Sequence, residues 1–215
     1  MGKALKYKRA IILGGNLSEI NPEICGEINN EDFVICADSG YIFALDNNIV
    51  PNVIVGDFDS APYPKKIECE IIKLPTHKND TDLLFAIKFA LEKGCSSFIL
   101  TGVTGGRLDH TIATISSLDY LSEKTNDCFI WDVNSKVYIV KSEITLKKPN
   151  FDCYFSVFSL TDNSYNVNVS GAEYPLNNAT LTNTFPLGVS NEFKDSTVQI
   201  SLKSGKLIVL IVKKD

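Results

Sequence analysis

The chain has 215 residues, enough for one large domain or two modest ones, each with a core of its own. It is 44% hydrophobic and 22% charged, ordinary for a globular protein, and its net charge of -5 argues against nucleic acid as a partner, which requires a basic face. No apolar run is long enough to span a membrane, and Lys3, Lys6, Lys8 and Arg9 lead directly into a first strand without a leader-like segment. The six cysteines form no C-x-x-C pair and only two histidines are present, so no zinc site and a cytoplasmic location are expected.

Strand and helix signals alternate through about residue 127. Residues 9–13 form a short apolar run that ends in Gly14-Gly15-Asn16. Further short β-branched runs lie at 33–37 and 53–55, a less apolar one at 67–74, and another at 98–101. Helical periodicity is clearest over 80–93, where Leu83, Leu84, Ile87, Ala90 and Leu91 share a face, Asn79 or Asp80 serves as N-cap, and Gly94 follows the end. A second helix is predicted over 109–123. This alternation predicts a parallel sheet with helices on both faces, a Rossmann-like α/β domain over residues 1–127.

Beyond residue 127 the helical signals stop. Short strands are predicted at 128–133, 136–140, 143–147, 154–160, 166–169, 179–182 and 197–202, with Ser204-Gly205 turning a hairpin into 206–213. Residues 128–215 therefore read as an all-β sandwich domain.

Acidic clusters follow the strands of the first half, where open α/β sheets place their ligands. They are Ala37-Asp38-Ser39-Gly40, Gly56-Asp57-Phe58-Asp59-Ser60, Asn79-Asp80-Thr81-Asp82 and Gly105-Gly106-Arg107-Leu108-Asp109-His110. In an extended chain, Asp57 and Asp59 point the same way with roughly 6–7 Å between their Cα atoms, a spacing suited to Mg²⁺. A lone D-x-D is more often a plain turn, and it also occurs in glycosyltransferases and phosphatases. Asp38 precedes a helix start at Ser39-Gly40 whose N–H groups would face an anion, and capping is its equal alternative. Asp82 suits a first helical turn with or without a ligand, with Thr81 and Lys78 beside it as hydroxyl and ammonium. In the fourth cluster, two glycines permit close backbone approach to phosphate and Arg107 offers a planar fork for its oxygens. Asp109 suits a cap, a metal ligand or a substrate contact, and His110 a hydrogen-bonding helix residue. Neither a Walker P-loop nor a dinucleotide fingerprint is present.

The ordered set A-D-S-G, P-N-V-I-V-G-D-F-D-S, K-N-D-T-D and T-G-G-R-L-D-H, followed by an all-β tail, resembles the thiamine pyrophosphokinase (thiamin diphosphokinase) family. Gly171-Ala172-Glu173-Tyr174-Pro175-Leu176 and Gly188-Val189-Ser190-Asn191-Glu192-Phe193 resemble that family's thiamine-side signatures, so the likeness spans about residues 33 to 193. The resemblance implies transfer of the pyrophosphoryl group of ATP to thiamine, with Mg²⁺, by a homodimer. It places Asp38, Asp57, Asp59 and Asp82 on metal and phosphate positions, and Ser39, Gly40, Lys78, Thr81, Thr104, Gly105, Gly106 and Arg107 around ATP. Asp109 falls at the reacting centre, so that Asp57, Asp59, Asp82, Arg107 and Asp109 form the expected catalytic set, while Tyr174, Ser190 and Asn191 would face thiamine. Asn79 stands where many relatives carry Asp, and Tyr174 where some carry Trp. The rivals are a pyrophosphokinase for another alcohol such as a hydroxymethylpterin, a D-x-D glycosyltransferase, and a nucleotide-binding sensor without turnover.

Overall fold

The computed structural model describes residues 7–59, 62–64, 67–75 and 80–214. They divide into two units, Met1–Val133 and Asn134–Asp215. The first unit contains strands β1 (Arg9–Leu13), β2 (Asp32–Ala37), β3 (Val53–Gly56), β4 (Glu70–Lys73), β5 (Ser97–Thr101) and β6 (Asp127–Trp131). Between them lie a 3-10 turn (Leu17–Glu19) and helices α1 (Ile24–Glu27), α2 (Gly40–Asp46), α3 (Asp82–Glu92) and α4 (Leu108–Ser122). The strands pair in parallel in the order β4-β3-β2-β1-β5-β6.

The burial pattern accounts for this order. Every residue of β2 and β3 is buried, as are the last four of β1 and β5, so these runs are apolar on both faces. On one face, Ile11, Leu13, Val34, Cys36 and Ile54 pack in a single cluster with Tyr41 and Ala44 of α2. β4 flanks two apolar residues with charged ones, none of them buried, as suits its place at the edge.

Helix α3 begins at Asp82, two residues after the predicted start, with Thr81 as its cap in place of Asn79 or Asp80. Thr81, in extended backbone, accepts a hydrogen bond from the Leu84 N–H at 3.1 Å. Asp80 instead pairs with Lys88 at 2.7 Å, and Asn79 lies outside the described residues. Gly94, at φ 90°, closes the helix as expected.

The boundary between units falls after Val133 rather than near residue 127. The run predicted as the first strand of the β tail is β6, which pairs in parallel with β5 from Ser97 opposite Asp127 to Leu100 opposite Ile130. Helix α4 supplies the crossover that a parallel pair requires.

The second unit contains β7 (Ser135–Val140), β8 (Glu143–Lys147), β9 (Cys153–Ser159), β10 (Asn163–Ser170), β11 (Leu176–Thr182), β12 (Gly188–Asn191), β13 (Thr197–Ser201) and β14 (Leu207–Lys213). They form two antiparallel layers, β12-β9-β14-β7 and β11-β10-β13-β8. One core joins the layers, with Phe155, Val157, Leu207 and Val209 from the first and Val167, Val169, Val198 and Ile200 from the second. Ser204-Gly205 does not close the predicted hairpin. β13 pairs with β8 and β10, whereas β14 lies between β7 and β9, so the chain changes layers at Gly205, which has φ 99°. The composition of the two strands explains the change. β13 buries alternate residues, as one face of a sheet does, while Leu207, Ile208 and Val209 are buried in succession.

Phe155 is fully buried and meets Phe193 edge-on, with ring centroids 5.1 Å apart. Phe155→Ala is expected to cost about 3–5 kcal/mol of stability, measurable by urea unfolding followed by far-UV circular dichroism.

Candidate active site

The parallel register brings the carboxyl ends of β1, β2 and β5 together, with Leu13 opposite both Cys36 and Thr101. The loops leaving these ends enclose a cleft of about 380 Å³. Gly15, Asn16, Asp38, Thr81, Asp82 and Arg107 line it, together with the turn from Gly102 to Gly106. Two of the predicted acidic clusters and the glycine turn thus meet in one place.

Asp38 leaves β2 in the left-handed region at φ 54°, which carboxamide and carboxylate residues tolerate better than most. Its N–H donates to the Val55 carbonyl at 2.8 Å, extending the β2–β3 ladder by one bond. Glycines on either side leave room for it. A Cβ on Gly15 would lie 2.8 Å from Asp38 Oδ2, and one on Gly56 would lie 3.3 Å from Asp38 Cα. Ser39 and Gly40 are used to hold the loops rather than to line the cleft. The Ser39 hydroxyl donates to the Gly15 carbonyl at 2.8 Å, and a Cβ at Gly40 would come within 2.2 Å of the Leu13 carbonyl oxygen.

The Asp57-Phe58-Asp59 segment departs from the extended chain that would align its carboxylates. β3 ends at Gly56, Phe58 adopts φ 58°, and the Asp57 carboxylate accepts from the Asp59 N–H at 3.2 Å. This is the Asx turn that the plain-turn reading describes, and it leaves Asp57 half-buried and Asp59 exposed. Phe58 packs edge-on against Tyr63, and the Tyr41 hydroxyl donates to the Pro62 carbonyl, which ties the following loop to α2. Burial and the nearby Asp38 charge push the Tyr41 hydroxyl pKa up. Lys78 and Ser60 lie outside the described residues.

The glycine turn is held almost entirely by side chains from elsewhere. Gly102 N–H donates to Asp132 Oδ1 at 2.7 Å and Thr104 N–H to Asp132 Oδ2 at 2.9 Å, and the Thr104 hydroxyl donates to the same Oδ2. Asn16 takes the opposite side: its N–H donates to the Gly102 carbonyl at 3.0 Å and its Nδ2 to the Thr104 carbonyl at 2.7 Å. Thr114 of α4 donates to the Val103 carbonyl at 2.8 Å. Gly105 and Gly106 follow at φ 76° and 61° and bring the chain to the start of α4. Neither glycine's N–H makes a hydrogen bond among the described residues. Two left-handed residues leading into a helix N-terminus present backbone donors and a favourable dipole to an anion.

Arg107 and Asp109 stand exposed at this helix start and pair through both forks, Nε to Oδ1 at 3.1 Å and Nη2 to Oδ2 at 2.6 Å. The guanidinium holds the Asp109 carboxyl below the usual carboxylate range. His110 lines the cleft beside them.

Asn16 and Asp132 were not among the expected site residues. Both follow apolar strands, as the four acidic clusters do, and that position was the available signal. Thr114 carried none, since a hydroxyl within a helix face is common.

In the second unit, Tyr174 is 68% exposed, whereas Asn191 is buried and committed to backbone. Asn191 Oδ1 accepts from the Tyr174 N–H at 3.0 Å and the Glu192 N–H at 2.9 Å, and its Nδ2 donates to the Tyr174 carbonyl at 2.7 Å. Ser190 is exposed at φ 54°, its N–H held by the Ser156 hydroxyl at 3.0 Å. Asn191 thus positions Tyr174 instead of presenting its own amide.

Such a cleft, with glycine-rich backbone, a helix start and acidic oxygens at parallel strand ends, defines an α/β enzyme of the polyphosphate-handling kind. Residues 25–130 match the model of the thiamin pyrophosphokinase catalytic domain, and residues 141–207 match that of the thiamin pyrophosphokinase vitamin B1 binding domain. The chain is 30% identical over 206 residues to the thiamine pyrophosphokinase of Bacillus subtilis, covering 93% of this chain and 96% of that one. The crystal structure of thiamine pyrophosphokinase from Bacillus subtilis superposes with a TM-score of 0.88 at 28% identity, over 97% of this chain and all of that one. The fold is also that of thiamin pyrophosphokinase from Candida albicans, at 16% identity and a TM-score of 0.79, over 98% of this chain and 90% of that one. The chain belongs to the thiamine pyrophosphokinase family.

Arg107→Gln is expected to return the Asp109 pKa upward toward its ordinary value, read from carboxyl carbon shifts in an NMR titration. The sign for stability follows. Because the folded pKa is depressed, the pair's contribution is present above the unfolded value of 3.8 and is lost as pH falls through the lower folded value, and Arg107→Gln removes that dependence.

Proposed function

We propose that the chain transfers the β,γ-pyrophosphoryl group of ATP to the hydroxyl of thiamine, forming thiamine diphosphate and AMP with Mg²⁺. The observation that carries this reading is the convergence of Asp38, Asp82 and the glycine turn on one cleft, in a chain of this family. The first unit is read as the ATP domain, Rossmann-like with helices on both faces, which its doubly buried strands support. The second unit is read as the thiamine domain, and the assembly as a homodimer in which thiamine lies between the α/β domain of one subunit and the β domain of the other.

In the transfer, the thiamine oxygen forms a bond to the β-phosphorus as the bond from that phosphorus to the α,β-bridging oxygen breaks. AMP leaves with that oxygen, and the hydroxyl proton passes to a carboxylate or to water. The chain's contribution is position and charge. The 102–106 turn and the start of α4 would take phosphate oxygens on backbone N–H groups, and Arg107 would take them on its fork. Where Arg107 turns its Nε–Nη2 edge to phosphate, it releases Asp109. Its carboxylate, no longer held ionised by the guanidinium, then becomes a better acceptor for a hydrogen bond from the thiamine hydroxyl.

The donor set suits Mg²⁺. Asp38 and Asp82 offer hard carboxylate oxygens in the cleft, with Asp57 and Asp59 on the neighbouring β3 loop. Among the described residues no three acidic, histidine or cysteine side chains gather closely enough to form an all-protein cage. Mg²⁺ held by these carboxylates would take further ligands from phosphate oxygens and water. When bound, it supplies neutralisation of charge on the transferring phosphoryl oxygens.

Purified protein incubated with ATP, Mg²⁺ and thiamine should release AMP and thiamine diphosphate in equal amounts. Formation of ADP would overturn the pyrophosphoryl reading. Asp38→Asn and Asp82→Asn should each lower kcat/KM by roughly 10²–10³-fold, the scale expected for removing one preorganised charge from a transfer site.

A further inference from the structure

Asp132 is the most enclosed carboxylate near the cleft, 1% exposed, and it does not line the cleft itself. A buried carboxylate of this kind is costly unless its oxygens are filled. Here Oδ1 takes the Gly102 N–H, and Oδ2 takes both the N–H and the hydroxyl of Thr104. Its own backbone is fixed as well. The Asp132 carbonyl accepts from Asn21 Nδ2 at 3.3 Å, Ile20 and Asp132 form a β-bridge, and the Val133 N–H donates to the Glu19 carbonyl at 3.1 Å. The anchor is therefore rigid, and the carboxylate is spent on one end of the glycine turn.

The turn needs such an anchor. Gly102, Gly105 and Gly106 all adopt left-handed backbone, so the segment has little intrinsic preference for its shape. A Cβ at Gly102 would meet the Ile20 side chain at 2.3 Å, and one at Gly105 would meet Asn16 Nδ2 at 3.0 Å, so the loop is packed closely on its outer side. The N–H groups of Gly102 and Thr104 and the carbonyls of Gly102, Val103 and Thr104 are taken by Asp132, Asn16 and Thr114, while the Gly105 and Gly106 N–H groups carry no bond among the described residues. The fixed half of the turn thus sets the aim of the open half.

We propose that Asp132 is a positioning residue for the pyrophosphoryl transfer, holding Gly102 and Thr104 so that Gly105, Gly106 and the start of α4 meet the phosphates of ATP. This rests on the assignment of the glycine turn to ATP. Asp132 touches neither substrate; it acts through the loop. Replacing it by Asn keeps the size but turns one oxygen into a donor facing the Thr104 or Gly102 N–H, which leaves a buried donor unanswered.

The test compares wild type with Asp132→Asn, Thr104→Val and Thr104→Ser, all assayed with ATP, Mg²⁺ and thiamine well below their melting temperatures. Asp132→Asn should raise the KM for ATP and lower kcat/KM for ATP by roughly 10- to 100-fold, with the KM for thiamine within about twofold of wild type. Thr104→Val, which loses only the hydroxyl, should show a smaller loss in the same direction, and Thr104→Ser should restore it. If Asp132→Asn does not fold, the Val and Ser pair carries the test alone. A lower Tm with unchanged ATP constants would overturn the proposal, because that is what a purely structural carboxylate produces. Equal rises in both substrates' KM, or Ser failing where Val fails, would overturn it too. Wild type that binds ATP calorimetrically but makes no thiamine diphosphate would instead overturn the function. ATP affinity measured in the same variants then still decides the role of Asp132.

Discussion

The parallel register of β1 between β2 and β5 is the constraint on which the rest of the first unit depends. It sets Leu13, Cys36 and Thr101 side by side, so Gly14, Gly102 and, one residue further on, Asp38 leave the sheet at the same end. Because these strands are apolar on both faces, a slip by one residue would not be punished by the inside-out alternation that fixes an antiparallel sheet. Register is fixed at the ends. Gly14 donates to the Thr101 carbonyl at 2.7 Å, Asn16 to the Gly102 carbonyl, and Asp38 to the Val55 carbonyl, and each of these bonds belongs to a cleft loop. The cleft and the sheet are therefore specified by the same few contacts.

The carboxylates around that edge differ in role because their surroundings differ. Asp132 is buried, and desolvation raises its pKa against the hydrogen bonds that favour its charge. Asp109 is exposed and held ionised by Arg107. Asp57 spends an oxygen on its own turn, and Asp80 on Lys88. Asp38 and Asp82 are the two that the fold directs into the cleft. Composition alone would rank all six alike; burial and hydrogen bonding separate them.

Much of this was legible in the sequence, and the failures have specific causes. The clusters at Asp38 and the glycine turn stand out because short buried strands are continuous apolar runs with abrupt ends, and Asp82 because it opens a helix of clear apolar periodicity. The extended spacing expected for Asp57 and Asp59 failed because a carboxylate can accept from an N–H two residues on, and here that local bond outweighs the awkward left-handed Phe58. The cap of α3 was misplaced because Asp80 and Thr81 are both good caps, and only tertiary structure shows that Lys88 occupies Asp80. The hairpin at Ser204-Gly205 failed for a related reason: a Gly turn fixes a change of direction, not the partner of the strand it releases. The strand-to-sheet assignment is decided by which layer buries Leu207, Ile208 and Val209. Asp132 carries little signal of its own, because a single acidic residue after an apolar run, without glycines, looks like any strand end.

One device recurs in both units. In the first, a buried carboxylate clamps backbone at Gly102 and Thr104, and the left-handed glycines beyond are left open. In the second, the buried Asn191 amide clamps both polar groups of Tyr174, and the Ser156 hydroxyl fixes the left-handed Ser190, while the Tyr174 ring and the Ser190 side chain stay exposed. Each clamp is a polar side chain whose burial is tolerable only because backbone groups fill it. Removing such a clamp leaves the donors or acceptors it served unanswered, so the turn cannot relax cheaply into another shape. The proposed substrates would then meet surfaces whose ordering entropy was already spent in folding. That is the condition under which binding energy can go to the reacting geometry instead of to arranging loops.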